Sequence, residues 1–179
     1  MRKALIAMAI SLAVAAPTAF AAGKPISTTP VVYVDATGNV AARLFGAGSG
    51  LLTLPGGAAV VVAVASVADA NGSPVAGAAT WAGGDAVLFT SANCTTGAFV
   101  YVYSLNPGTR ASAQVATAGG VVLYIGAAAP GTSNPVFNSF LTSQGCATQS
   151  IAAGSVGSVW PVASALNLSV AYPPPLSVQ

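Results

Sequence analysis

Histidine and glutamate are absent from this sequence, both methionines fall within its first eight residues, and after Lys24 only Asp35, Arg43, Asp69, Asp85 and Arg110 carry a formal charge. Each absence removes a class of chemistry. Without histidine there is no imidazole to activate a serine or cysteine nucleophile and none to ligate zinc. Without glutamate a calcium loop lacks its bidentate closing ligand. Three scattered aspartates give few ways to build a paired-carboxylate hydrolase, and three cations beyond the leader make no basic patch for phosphates. The chain reads as a protein that is not an enzyme, uses no cofactor or metal and binds no nucleic acid.

What is present begins with an address. Met1-Arg2-Lys3 is basic, residues 4–16 are apolar apart from Ser11, and Pro17-Thr18-Ala19-Phe20-Ala21 ends in small-x-small. That order is a secretory signal peptide with cleavage expected after Ala21. The apolar stretch is shorter than the roughly 20 residues a bilayer-spanning helix needs, so an uncleaved anchor is the weaker reading. No lipobox-type cysteine follows. Residues 22–179 then carry Lys24, Arg43 and Arg110 against Asp35, Asp69 and Asp85; the whole-chain charge of +2 comes from Arg2 and Lys3. The whole chain has a mean hydropathy of +0.75, and residues 22–179, apolar and poor in charge, are not disordered; their length suits a single domain, and their neutrality favours association. The expected location is periplasmic or extracellular, with no membrane span once the leader is removed.

Cys94 and Cys146 are the only cysteines. In an exported chain they are expected to form a structural disulfide, since zinc would have too few ligands and no neighbouring base favours a thiolate. Closing so long a loop stabilises by about 4 kcal/mol at most in the chain-entropy treatment.

Short runs of Val, Leu, Ile, Tyr and Phe separated by Gly, Pro, Asn, Asp and Ser predict strands. They fall at 31–35, 40–45, 51–54, 58–66, 78–81, 86–90, 98–104, 109–116, 121–127, 136–141, 148–152, 159–163 and 166–170. Turns are expected at Thr37-Gly38-Asn39, Pro55-Gly56-Gly57, Asn71-Gly72-Ser73-Pro74, Gly83-Gly84-Asp85, Asn106-Pro107-Gly108 and Gly119-Gly120. No segment shows a capped helical stripe. The fold class predicted is all-β: residues 22–179 as one domain, a sandwich or barrel-like fold with one disulfide and a Pro-rich C-terminal tail at Tyr172-Pro173-Pro174-Pro175. The 58–68 run is apolar in both parities and predicts a central strand covered on both sides. Its Val60–Val64 portion would template strand addition if it lay at an open edge. A transmembrane barrel would alternate apolar-out with polar-in between aromatic girdles, a pattern this chain lacks.

The segments VVYVDATGNVAARLFG, LFTSANCTTGAFV, GGVVLYIG, GCAT and YPPPLSVQ resemble a group of small uncharacterised exported bacterial proteins with two cysteines. The resemblance implies a one-domain β protein bearing a signal and carries no activity with it. Residues 66–78, SVADANGSPVAGA, are similar to the first hairpin of bacterial immunoglobulin-like domains of invasin-type adhesins, which implies an adhesive or spacer role.

Four places invite a functional reading. Gly46-Ala47-Gly48-Ser49-Gly50 is glycine-rich but is followed by a strand pattern rather than the helix a phosphate loop requires, so it reads as a turn. Asp69 and Asn71 have calcium-loop spacing, yet Ser73 follows where a third oxygen ligand belongs and no glutamate closes the loop. Asp35, Asp69 and Asp85 each sit in a turn signal and read as turn residues. The fourth is Phe99-Val100-Tyr101-Val102-Tyr103, where the two-residue strand period places Phe99, Tyr101 and Tyr103 on one face and both valines on the other. The aromatic row is either buried between sheets or displayed as a binding surface for a glycan or cell-wall partner. The function expected is a non-catalytic envelope or extracellular binding module; the alternatives are a self-associating subunit of pilus or matrix type and a hydrolase with an unrecognised site.

Overall fold

The β-branched and aromatic runs become strands, and glycines at positive φ, Gly38, Gly56, Gly72 and Gly108 among them, turn the chain between them. The computed structural model describes residues 30–131, 135–152 and 154–179; the expected leader lies outside them. The strands are β1 (Val32–Val34), β2 (Val40–Gly46), β3 (Ser49–Thr53), β4 (Ala59–Ala68), β5 (Pro74–Trp81), β6 (Val87–Phe89), β7 (Ala98–Val102), β8 (Thr109–Arg110), β9 (Ser112–Thr117), β10 (Gly120–Gly126), β11 (Phe137–Thr142), β12 (Gly145–Ile151) and β13 (Ser158–Asn167). A one-turn helix, α1 (Leu168–Ala171), leads to β14 (Leu176–Val178).

Two architectures share this all-β chain. Strands β3-β2-β1-β14-β5-β4 form a six-stranded barrel, closed because β4 pairs with both ends of the row: its first half with β3 and its second half with β5. The short β8 joins β4 in parallel. The second sheet, β12-β11-β6-β7-β13-β10-β9, is a half-barrel of antiparallel strands.

Several expectations change in the folded chain. The 58–68 run is not covered on both sides: Val60, Val62 and Val64 are buried, whereas Ala63 and Ala65 face out, because a barrel wall has one inner face. Nor is Val60–Val64 an open edge, since β3 occupies one side, and the other is shared by β8 at Val60, the Ser112 hydroxyl at Val61, Gln114 at Ala63 and β5 at Val64. The 159–163 and 166–170 runs are one strand, β13, continued by α1 rather than by another strand. Asn167 caps that helix by accepting the Val170 amide. The proline-rich end is not a free tail. After Tyr172–Pro175, β14 inserts between β1 and β5 and closes the barrel. Proline cannot donate to a ladder, so the strand forms only where the prolines stop.

The two sheets are joined by one continuous core. Leu52, Val60, Val62, Trp81 and Leu176 of the barrel pack with Val121, Leu123 and Ile125 of β10 and Leu168 of α1. The polar part of the seam is Gln114 on β9, which is 2% exposed. Its Oε1 accepts the Ala63 amide, and its Nε2 donates to the carbonyls of Ala63 at 3.1 Å and Ala82 at 2.9 Å. A carboxamide carries the donor and acceptor of a peptide group, so the side chain stands in for a neighbouring strand on the edge of β4 between its pairing with β8 and its pairing with β5. Gly83 allows the approach, because a Cβ there would collide with the backbone of Ala116.

The far half of the half-barrel buries both faces differently. Val87, Phe89, Val100 and Trp160 fill the concave side together with Ala111, Ala113 and Val115 of the β8–β9 segment. Leu88, Phe137 and Val159 form a smaller cluster on the opposite side. Cys94 and Cys146 are bonded across 52 residues, tying the β6–β7 loop to β12. Cys94 adopts φ +55°, a conformation disfavoured for a residue with a Cβ. Besides the disulfide, it is held by the buried Ser139 hydroxyl, which accepts the Cys94 amide at 3.1 Å and donates to the Ser91 carbonyl at 2.6 Å.

Gln114→Ala leaves the Ala63 amide and the Ala82 carbonyl without these partners and is expected to lower stability by about 2–4 kcal/mol in urea denaturation. A loss below about 0.5 kcal/mol would show that water replaces the carboxamide there. Cys94→Ser with Cys146→Ser is expected to cost no more than about 4 kcal/mol, with the secondary structure retained by circular dichroism at ambient temperature.

Candidate functional site

The strand alternation expected for 99–103 holds, but the three aromatic residues do not share one environment. Phe99 is half-buried and packs edge-on against the fully buried Phe137, with ring centroids 5.4 Å apart. Tyr101 is half-buried one step further along β7. Tyr103, just beyond the strand, is 91% exposed and meets Tyr101 edge-to-face at 6.1 Å. On the other face Val100 is fully buried and Val102 packs against the same cluster. The row therefore grades from two half-buried rings to display, and only Tyr103 stands free in solvent.

That surface is an open groove of about 250 Å³. Leu88 supplies its floor, with Phe140, Ile151 and Val156 along its sides and Tyr101 and Tyr103 at its lip; Ala86 and Thr142 complete it. Register assembles these residues: Leu88 lies opposite Phe99 on β7 and opposite Phe140 on β11, so one row crosses three strands on one face. No lining side chain carries a formal charge. The polar groups are the Thr142 hydroxyl and the two phenols. Sequence reasoning found Tyr101 and Tyr103 but missed Leu88, Phe140, Ile151 and Val156. The period-2 pattern of Phe137-Asn138-Ser139-Phe140 is disturbed by a bulge between Phe137 and Ser139, so no regular alternation flagged them.

A second cleft, about 220 Å³, lies between barrel and half-barrel, with polar and charged side chains set among Val61, Val102 and Leu105. Ser49, Asp85, Asn106, Thr109, Arg110 and Gln114 contribute to it. Two of these already serve the seam: Asp85 Oδ2 accepts the Gln114 amide at 2.7 Å and the Asp85 amide donates to the Gln114 carbonyl at 2.9 Å.

The other sequence candidates resolve into turns. Gly46–Gly50 closes the β2–β3 hairpin, with Gly48 at φ +70° and β3 following directly. Asp69 and Asp35 form the same device twice. Asp69 Oδ1 accepts the amides of Asn71 and Ser73 at the tip of the β4–β5 hairpin. Asp35 Oδ1 accepts the amides of Thr37 and Asn39 and the Thr37 hydroxyl between β1 and β2. The sequences DATGN and DANGS carry it. Among the described residues no cluster of three potential metal ligands occurs, and no helix is long and apolar enough to cross a membrane. No protein-family model, curated protein or solved structure matches this chain.

Asp35 is a carboxylate whose surroundings act on its ionisation. Burial alone pushes its carboxyl up, but the Thr37 hydroxyl and the amides of Asn39 and Thr37 outweigh that and hold it below the ordinary carboxylate value. A folded-state value below the unfolded one stabilises the fold fully above the ordinary value and loses that contribution as pH falls through the lower one. The melting temperature is therefore expected to fall below about pH 4. Asp35→Asn, which keeps the acceptor but does not ionise, should flatten that fall; an unchanged acid profile would remove Asp35 as its source.

Proposed function

We propose that the protein is an exported, non-catalytic binding module whose half-barrel groove holds a neutral ligand, with glycan of the cell wall or extracellular matrix as the class that fits it. The observation that carries this reading is Tyr103, almost fully exposed beside the half-buried Tyr101 at the lip of an uncharged apolar groove. A large ring left in water at the edge of an apolar surface is a costly arrangement that an anchor for a partner explains. The apolar face of a sugar ring stacks on such a ring, and the phenols and the Thr142 hydroxyl supply hydrogen bonds at its rim. The lack of charge in the lining argues against phosphorylated or acidic ligands, whose recognition uses Arg and Lys forks. A shallow, open groove suits a segment of polymer better than a small molecule that must be enclosed.

The Cys94–Cys146 bond is compatible with the oxidising compartment that this role requires. The two-cysteine exported proteins that the sequence resembles are consistent with the same setting.

The test is retention on insoluble peptidoglycan and on cellulose or chitin, read as the bound fraction against protein concentration. Tyr103→Ala is expected to weaken retention about five- to tenfold, as the loss of one aromatic stacking contact implies, with the melting temperature within a degree or two of wild type because the side chain is exposed. Tyr101→Ala should weaken retention and also lower the melting temperature, since this residue is half-buried. Retention unchanged in Tyr103→Ala, or absent in the wild type on every matrix, removes the glycan reading.

A further inference from the structure

After Arg110 the sequence contains no acidic or basic side chain, so β9 to β13 are without charge, and β6 and β7 add none. The consequence falls on β12. It lies at the end of the half-barrel order, paired only with β11. Six of its seven residues are exposed. Beyond the β11 ladder its backbone makes no hydrogen bond among the described residues. The opposite end of the same sheet is covered: Ala116 donates to the Gly83 carbonyl, Val115 bridges Gly84, and Gln114 reaches β4. The free end of the β4–β5 hairpin carries Asp69 at its turn and Pro74 at the start of β5. Charge and proline are the usual guards of an open strand edge. Gly145-Cys146-Ala147-Thr148-Gln149-Ser150-Ile151 has neither.

We propose that β12 is a self-association edge, pairing antiparallel with β12 of a second copy of this chain. Three observations favour a second copy over another partner. An uncharged strand meets its own symmetry mate without the like-charge opposition that would destabilise it. Its Gly145, Ala147, Thr148 and Ser150 are small and its Gln149 is unbranched and exposed, which leaves the backbone accessible on both copies at once. The edge is also ordered beforehand, because the disulfide pins Cys146 and the Thr148 hydroxyl donates to the Ala92 carbonyl at 2.9 Å, which lowers the ordering cost of association. A two-fold axis perpendicular to the sheet keeps the same face outward on both copies. Both Tyr101–Tyr103 grooves would then open on one side of a continuous sheet. The pairing stands independently of what the grooves bind.

Sedimentation velocity on the secreted protein, from micromolar to near-millimolar concentration, reads the association directly. The wild type is expected to shift from monomer to a species of twice the mass. Two double variants test the edge: Ala147→Lys with Gln149→Lys, and Ala147→Glu with Gln149→Glu. Both positions are exposed, and a two-fold centred on Thr148 brings 147 opposite 149 of the mate. Each variant alone is expected to stay monomeric with wild-type circular dichroism, and an equimolar mixture of the two should recover the doubled mass. If either pair of substitutions perturbs folding, the Gln149 single variants of opposite charge repeat the mixing test. A wild type that remains monomeric throughout, variants that associate alone, or a mixture that does not recover the dimer each overturns the proposal.

Discussion

Gln114 presents its carboxamide to Ala63 and Ala82 much as a peptide group on an adjoining strand would, and the position of the half-barrel follows from that seam. A barrel wall is satisfied by its own ladders except where one strand changes partners. On the edge of β4 opposite β3 this happens between Val60, which pairs with β8, and Val64, which pairs with β5, leaving the Ala63 amide and the Ala82 carbonyl just beyond β5 for water to solvate otherwise. Meeting that requirement with a side chain of β9 anchors β9. Since β10 is hydrogen-bonded to β9 and β13 to β10, the anchor sets the placement of the whole second sheet. Val121, Leu123 and Ile125 are thereby directed into the barrel core while Tyr124, between them, faces the other cluster.

The scarcity of charge shapes the rest. All three aspartates accept backbone amides: Asp35 and Asp69 inside turns, Asp85 across the seam. The carboxylates act here as turn closers and strand links. The half-barrel beyond the seam relies on apolar packing, backbone ladders and hydroxyls such as Ser139 and Thr148. A surface made this way neither steers nor repels charged partners over distance, so recognition on it depends on contact shape and on edges. Its groove and its open edge lie on the same end of the sheet for a topological reason. β6, β7, β11 and β12 are the strands furthest from the barrel, and nothing in the described chain packs over all of them.

Much of the fold was readable from local pattern. The strand pattern appears in the sequence because β propensity and turn chemistry are local, and the cysteine pair because two lone cysteines behind a leader-like segment have a disulfide as their default reading. The errors have specific causes. β14 was hidden because three prolines precede it, and a strand of three residues has no periodicity of its own. β13 was divided because Pro161 and the Ala163-Ser164-Ala165 segment weaken its pattern, although the strand sits between β7 and β10 and is held by both. The two-sided burial expected for β4 failed because alanine and valine are equally apolar on either face of a strand, so composition could not say which parity was inner.

Of the groove, the sequence showed only the alternation of Phe99, Tyr101 and Tyr103. That alternation establishes that the three share a face, which is a property of one strand. Which of them is core depends on Phe137 arriving from β11 to cover Phe99 and on nothing arriving to cover Tyr103. The sequence alone determined an all-β chain, short of charge and lacking the side chains of most catalytic chemistries, since these follow from residue types and neighbours a few positions apart. Barrel closure by β14, the seam at Gln114, the grading of the aromatic row and the bare edge of β12 were decided by tertiary structure. Each depends on the pairing of strands far apart in the chain, and register between distant strands leaves no local trace in the residues that adopt it.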